Sequence, residues 1–581
     1  MTTLAPRYSN LNGAPQGVLS PNVELSTVIS AIGSLSSELL INVPVSVTSN
    51  TTIPATLETI VQKGALISIA TGVTLTINGP FNAGVYQVFS ITGTGKVVFN
   101  NAVNSTGYPE WWGAKTNDNT FDCSTAINAC IVALPQTQLQ AGNYYVGTRI
   151  VMQVQGRSLL GTGYGYAGNP GSSSVAASRI VINNGLTNGI LIGYDTNPGT
   201  GSNDYEAYLF GCTIKNIALT RSVAPVAPGT FTAPTLPMPT NLPVGIQITY
   251  AAATELVNVD VWDSIVGIYV CATTGVRLTQ TRSNRATAAS SGSDYFNAFF
   301  LDGYATSYST AGQNASTYLT DCSAQCRVEA LSSTNASQGY VLNQAFNDVF
   351  LSRPEAINFY TGIYVYGSEG TVKSKSDVDL HIIGAIVDVY RGQGIYFNNV
   401  SDYGAISVMD GYFAPLAGMT GSDYPGIQVI NSTGCISFVN NQVIGYQTLT
   451  SIGVIANTSS GLLFKNNMYV GCSKKTVVTS VKNCRFEDIV SNPNEGEVSV
   501  ITLVTSSRNY IAPTLKAGGG NLFTVGVEMV GTGCTYNEVN CSGLDPTSIT
   551  GGSSNKLLYN STQVTTTGIF GTNNLASGIM N

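Results

Sequence analysis

A short step, glycine followed by a branched apolar residue and a strand, recurs along the chain. It reads Gly189-Ile190-Leu191-Ile192, Gly245-Ile246-Gln247-Ile248, Gly267-Ile268-Tyr269-Val270, Gly362-Ile363-Tyr364-Val365, Gly394-Ile395-Tyr396-Phe397, Gly426-Ile427-Gln428-Val429 and Gly453-Val454-Ile455. Gly245 to Gly267 is 22 residues, Gly362 to Gly394 and Gly394 to Gly426 are 32 each, and Gly426 to Gly453 is 27. Between the steps runs a second family of strand-like text: "NDVFLSRPEA", "SDVDLHIIGAIVD", "YGAISVMDGYFA", "GCISFVNNQV" and "GLLFKNNMYV". A repeat this short cannot bury its own apolar face and must stack on its neighbours. Asn and Gly at the ends of the strands tolerate a left-handed backbone, and Asn can also hydrogen-bond to the next repeat. Helical periodicity is almost absent, and a propeller would need an even period of about 40–50 residues. The uneven spacing therefore predicts an all-β chain, a right-handed parallel β-helix with two or three short strands per coil.

Composition narrows the function. Charged residues are 10% of the 581, against about 25% in an average globular domain. Net charge is −7 and no Lys/Arg run occurs, so neither nucleic acid nor a membrane surface is an expected partner. No window is apolar enough to span a bilayer, and the start, Met1 to Arg7, does not read as a secretory signal. The 11 cysteines are scattered, which reads as buried thiols and not as a disulfide framework. The single histidine, His381, excludes a multi-histidine metal site, and no cofactor is expected.

One stretch breaks the strand text: "YPEWWGAKTNDNTFDCSTAINACI", Tyr108 to Ile131. Asp122 or Ser124 can cap a helix whose stripe is Ala126, Ile127, Cys130, Ile131 and Leu134, stopped by Pro135. A β-helix ends in an open apolar cross-section, and this helix is expected to cover it, with Trp111 and Trp112 packed at the cap. Followed by "AGNYYVGTRI" and "SLLGTG", the stretch resembles the capping segment of bacteriophage tailspikes and capsule depolymerases of the pectate-lyase-like β-helix class. It departs from that pattern by an apparent insertion before Asp118, by Cys123 in place of an Asp, and by Asn119 in place of a Gly. "GALISIATGVTLTINGPFNAGVYQVF" also resembles the segment that precedes the cap in these spikes.

The resemblance implies a homotrimer in the virion tail, docked through its N-terminus on another tail protein and acting on a bacterial capsular polysaccharide. The expected division is a tail-attachment segment at 1–40, a β-rich collar at 41–107 and the β-helix with its capping helix near 122–135 over 108–490. A β-rich module for trimerisation or carbohydrate binding is expected at 491–581.

Glycosidic hydrolysis uses two carboxylates, and in so uncharged a chain the acids that follow the second strand of a coil stand out. Asp263, Glu355 and Asp388 precede Gly-Ile steps by four to seven residues, and stacking in register would align them; Asp321 joins from the coil between, with Asp348 and Asp410 in similar text. Any one of these acids could instead cap a turn. Arg353, Arg391, His381, Trp262 and Tyr390 are the expected substrate-binding groups, Trp262 as a platform for a sugar ring. A lyase acting on a uronic-acid polymer would use His381 or a nearby Tyr as base, with Arg353 or Arg391 neutralising the sugar carboxylate. A Ser-His-Asp triad would have to pass through His381, and no nucleophile-elbow text accompanies it. A spike that grips polysaccharide without cutting it is the remaining alternative.

Overall fold

The structure is a computed structural model. It describes the chain apart from residues 1–5, 9–14, 19–22, 101–103, 164–176, 184–187, 197, 200–206, 223–242, 287–294, 304–313, 330–336, 344–345, 368–378, 418–423, 446–451, 473, 492–498, 513, 517–524, 531–533, 541–547, 551–554, 561–574 and 580–581. Two compact units are present, one of Met1–Tyr194, Leu209–Val223 and Thr254–Asp260, the other of Asp195–Tyr208, Ala224–Ala253 and Val261–Asn581.

The first unit begins with a small parallel β-helix of its own. Three strands make a coil (Ser37–Ile41, Val45–Val47, Thr51–Ile53), and two more coils stack on it in register: Leu39 meets Thr59 and then Phe81, Val45 meets Ile67 and then Phe89, and Thr51 meets Leu75 and then Val97. Burial alternates along these strands, as period-2 side chains require when one face is inside. Leu25 and Val28 of helix α1 (Leu25–Ile32) join the same core. At the last coil the interior turns aromatic. Trp111 lies 5.3 Å from Phe81 and 5.6 Å from Tyr108 between ring centroids, and Trp112 lies 5.2 Å from Phe89. The Trp111 indole donates to the Gly84 carbonyl at 2.9 Å.

Helix α2 (Ser124–Ala133) follows, and its apolar stripe is buried as expected: Ala126, Ile127, Cys130 and Ile131, with Leu134 just beyond. The residue ahead of it is Cys123, and the capping work falls to Asp122, whose Oδ1 accepts from the amides of Ser124 and Gly147, both at 2.9 Å. Burial pushes the Asp122 carboxyl up, but those hydrogen bonds outweigh it and leave it below the usual carboxylate range. Glu110 of the Pro-Glu-Trp-Trp turn is buried and accepts from the Tyr144 hydroxyl at 2.5 Å, tying the turn to the coil above; burial holds its carboxyl above the usual range. New coils then start, with Gln136 opposite Ser158 and Thr213 in turn, and Gly142 opposite Ser178 and Ile217.

The second unit is a longer stack of parallel coils with three faces. One face carries Val266–Thr274, Phe296–Asp302, Ser337–Asn343, Thr361–Tyr366, Gln393–Asn398 and Ile427–Ile430. The next carries Asn314–Thr320, Phe346–Ser352, Asp379–Ile383, Ser401–Met409 and Thr433–Val439. The third carries Arg282–Arg285, Ser323–Cys326, Glu355–Ile357, Ile386–Tyr390 and Tyr412–Pro415. The described strands beyond 490 carry on in parallel register, Ser499–Val504 on Lys474–Thr479 and Val525–Val530 on Ser499–Val504.

The corners explain the Asn-rich text. Between the second and third faces every coil turns through one left-handed residue, and these stack in a line: Gln280, Asp321, Arg353, Gly384, Asp410, Asn440 and Asn466. Each passes its amide to the next coil, as in Asp321 N to Ser352 O at 3.0 Å and Arg353 N to Ile383 O at 2.7 Å. One residue on, buried amides form a ladder: Asn441 Nδ2 donates to Asn467 Oδ1, and Asn467 Nδ2 to Asp488 Oδ1, both at 2.8 Å. A second ladder runs through Asn509, Asn537 and Asn555. Phe438, Phe464 and Phe486 stack in the core at 4.8 and 5.2 Å. All ten described cysteines are free, and burial pushes the Cys130 and Cys322 thiols up to about 12.

Two outcomes follow from this packing. Trp111→Ala removes the indole that floors the first small β-helix, and chemical denaturation of the first unit should show a loss of about 3–5 kcal/mol. Asp488 is fully buried, and although Tyr469 and Asn467 hydrogen-bond it, burial pushes its carboxyl up to about 6. Its folded-state value lies above its unfolded one, so the associated stability is complete below about pH 4 and is lost as pH rises through about 6, on the order of 3 kcal/mol. Asp488→Asn, which keeps the ladder acceptor, should remove that slope from unfolding free energies measured between pH 3.5 and 7.

Candidate functional site

Stacking in register decides which acids meet. Ser323 lies opposite Glu355, Glu355 opposite Ile386, and Ile357 opposite Asp388. Asp388 is thus one coil on and two residues along from Glu355, on the same outward side of the third face, which puts their Cα atoms about 8 Å apart. Asp321 stands in the same relation to Glu355, one coil back and two residues before Ser323. Three of the four expected acids therefore fall on one diagonal. Glu355 and Asp388 are half-buried there, each on a strand whose alternate residues, Ala356 and Val387, point into the core.

Asp321 is already engaged. Arg353 grips both its oxygens, Nε to Oδ1 at 2.5 Å and Nη2 to Oδ2 at 2.7 Å, on an exposed corner. Arg353 is two residues before Glu355 in the chain, and its guanidinium reaches back to the carboxylate of the preceding coil. Arg391 follows Asp388 at the other end of the face; its Nη2 donates to Asn358 Oδ1 at 3.5 Å, and its Nη1 lies 4.0 Å from the exposed Glu329. Asn358 and Val389 are the left-handed residues of that corner.

Asp263 stands apart. It is 3% exposed, sits in a left-handed corner three coils before Glu355, about 14 Å along the stack, and its Oδ1 accepts from the Ala286 amide at 2.9 Å. The turn-capping alternative describes it. Trp262 is 2% exposed with the Arg327 guanidinium over its ring at 5.3 Å, so it offers no open face to a sugar; Tyr390 is 1% exposed. Both close a strand at a position whose side chain packs beneath the corner, which strand-like text does not reveal. Asp410 lies on the corner line of Asp321 and Arg353, and Asp348 is a left-handed residue within Phe346–Ser352, ahead of the residues that pair with Asp379–Ile383.

His381 is on the second face, not beside the acid pair. Its ring stacks on Phe350 at 4.9 Å, Nδ1 is 2.6 Å from Ser407 Oγ, and Nε2 is 3.6 Å from Asp379 Oδ1. Sequence reasoning also passed over the half-buried tyrosines of the first face. Tyr364 lies 5.2 Å from Tyr396 and 6.0 Å from Tyr366, and Asn398 Nδ2 donates to the Tyr364 hydroxyl at 3.3 Å. The signal was in the Gly-Ile-Tyr steps at Gly362 and Gly394, whose tyrosines are half-buried, whereas Tyr269 of the step at Gly267 is buried. No group of three or more His, Cys, Asp or Glu suited to a metal occurs among the described residues. No helix among them is long and apolar enough to cross a membrane.

No protein-family model matches the chain, and no curated protein sequence matches it. Solved structures do. A mutant of the tailspike protein of E. coli bacteriophage HK620, in complex with a hexasaccharide, superposes with a TM-score of 0.55 at 11% identity over 78% of this chain and 75% of that one. A second mutant of that tailspike, in complex with a pentasaccharide, gives 0.54 at 10% identity over 78% and 76%. The chain has the parallel β-helix fold of these tailspikes and resembles them, as the capping segment led us to expect.

The acids separate by what replacing them does to stability. Asp388→Asn and Glu355→Gln, at half-buried outward positions, should leave the unfolding free energy within about 0.5 kcal/mol of wild type. Asp263→Ala should cost about 1–3 kcal/mol by stripping the half-buried Ala286 amide of the acceptor that a buried carboxylate gives it.

Proposed function

We propose that the chain is a spike of a phage tail that binds a bacterial surface polysaccharide, capsule being the expected form, and cleaves it by acid-base hydrolysis at Glu355 and Asp388. The observation that carries this reading is the diagonal pairing of the two carboxylates on adjacent coils. A Cα spacing of about 8 Å lets the carboxyl groups sit within the roughly 6.5–9.5 Å that leaves room for a water opposite the leaving oxygen. In that geometry one group, protonated, gives its proton to the glycosidic oxygen, while the other, ionised, takes a proton from the attacking water. Arg353 and Arg391 flank the pair and are placed to hold acidic or hydroxyl groups of the chain being cut. The tyrosines around Tyr364 supply flat faces with polar tips of the kind that sugar rings stack on.

The fold shared with a tailspike seen in complex with oligosaccharides supports a polysaccharide partner, and with it a location in the virion tail and a trimer. The lyase alternative has less support, because His381 stands on the second face, away from the pair Glu355 and Asp388 and its flanking arginines.

The test incubates the protein with a panel of purified bacterial capsules, following reducing ends together with absorbance near 232 nm. Reducing ends without absorbance are expected, with Asp388→Asn and Glu355→Gln each slowing release by at least about 10²-fold while the polysaccharide is still bound. Absorbance rising with the reducing ends would mean elimination, and binding without either signal would leave a non-cleaving receptor spike.

A further inference from the structure

On the second face of the long stack, three side chains from two adjacent strands stand together: Asp379 and His381 on Asp379–Ile383, and Ser407 on Ser401–Met409. The register sets His381 opposite Ser407 and Asp379 opposite Ala405. Ser407 Oγ is 2.6 Å from His381 Nδ1, and Asp379 Oδ1 is 3.6 Å from His381 Nε2. The imidazole is braced on its other side by Phe350, itself stacked on Tyr318 at 5.3 Å. His381 and Asp379 keep 25% and 40% of their side-chain surface exposed. Beyond His381 the face drops to small residues: Ser407 is followed in register by Ser437, and Ala405 by Cys435, the latter two exposed. The Ser437 hydroxyl is turned away, donating to the Ile406 carbonyl at 3.1 Å, so Ser407 is the hydroxyl presented to the ring.

We propose that Ser407, His381 and Asp379 form a second reactive site, a serine nucleophile that hydrolyses small acyl esters. An acid near Nε2 favours the tautomer with its proton on that nitrogen, which leaves Nδ1 free to accept from the Ser407 hydroxyl. The arrangement is the mirror of the usual nitrogen assignment, and roles follow from geometry and not from which nitrogen is used. Ser407 Oγ bonds to the ester carbonyl carbon as its proton passes to Nδ1. The bond from that carbon to the alcohol oxygen breaks, and the alcohol leaves with the proton. Water then attacks the acyl-serine, its proton going to Nδ1, and Ser407 Oγ recovers a proton from the imidazolium as the carboxylic acid departs. The step down beside the Phe350–His381 wall suits a short acyl group, acetyl in the simplest case. The alcohol being a sugar hydroxyl rests on the polysaccharide reading above; the ester chemistry does not, because this face is separated from Glu355 and Asp388 by the corner line through Arg353 and Gly384.

Asp379 acts through His381 and is a positioning residue. On the preceding strand Asp348 takes a left-handed backbone just before Val349, which lies opposite Leu380; the described side chains of the following strand, 405–409, carry no charge.

The experiment treats the full-length protein with a fluorophosphonate probe, maps the adduct by mass spectrometry, and follows hydrolysis of p-nitrophenyl acetate in a Cys435→Ser background, which removes an exposed thiol able to react with that ester. An adduct on Ser407 is expected, absent in Ser407→Ala and slowed at least about tenfold in His381→Gln, with ester turnover falling by about 10² or more in both. Asp379→Asn should lower kcat for the ester at least about tenfold with KM unchanged, and Asp379→Glu should restore part of that loss, as a carboxylate that orients the ring requires. No adduct on Ser407, or turnover in Ser407→Ala equal to that of the parent, would overturn the site. Because all three side chains face outward, unchanged melting temperatures will show that the variants are folded, and a loss of capsule cleavage with Ser407 labelling intact would count against the acid pair alone.

Discussion

The structure depends on the hand-over of backbone hydrogen bonds from each coil to the next. A coil has no partner within itself for its strand amides, so its stability is a property of the stack. What fixes the register is the corner. A left-handed residue at the same place in successive coils keeps strand lengths matched, and its own amide reaches the following coil, so a one-residue slip would break the corner line and turn the apolar faces outward together. Asn is used where the corner must also bond sideways, and the ladders through Asn467 and Asn537 satisfy polar groups that water cannot reach.

From this constraint comes the site. In a stack held in register, residues distant in the sequence become neighbours by coil number and strand position. Glu355 and Asp388 are 33 positions apart in the chain yet lie one coil apart on one outer face. The same rule separates Asp263, which occupies a corner, where a carboxylate finds an amide to cap. On the third face the strand acids Glu355 and Asp388 point outward and stay available, whereas Asp263 in its corner is drawn onto a backbone amide. Asp321 shows the intermediate case, a corner acid whose carboxylate is taken up by the arginine stacked above it.

Much of the fold was legible before any coordinates because its signals are local: the Gly-Ile step marks one strand of each coil, Asn and Gly mark corners, and Pro135 marks the end of the capping helix. Most of the expected collar at 41–107 falls in a stack of three coils, Ser37 to Phe99, whose short strands conceal it in the sequence. The site was only partly legible. Alignment of acids by their distance to the next Gly-Ile step assumes that every coil turns at the same place, and Asp263 and Asp388 sit differently relative to their corners. Trp262 and Tyr390 were chosen for their chemistry, but burial at a strand's last residue depends on how the following corner folds over it. The partners of His381 were hidden for the opposite reason, since Ser407 is 26 residues on and only the coil length brings it opposite.

Scarcity of charge gives these placements their weight. A chain with so few ionisable groups uses hydroxyls and amides to stay wetted, so its outer faces present broad neutral surface suited to an uncharged or weakly acidic polymer and poorly suited to phosphate. Against that background Arg353 with Asp321, and Arg391 with Glu329, mark the two corners that border the acid pair. The parallel ladder also keeps the faces mechanically independent. A substitution on an outward row disturbs its neighbours above and below but is insulated by the corner line from the next face, so chemistry on one face can change without strain on the other. A stack of this kind can therefore carry unrelated reactive groups on adjoining faces, and the acid pair on the third face and the serine–histidine pair on the second occupy the chain on those terms.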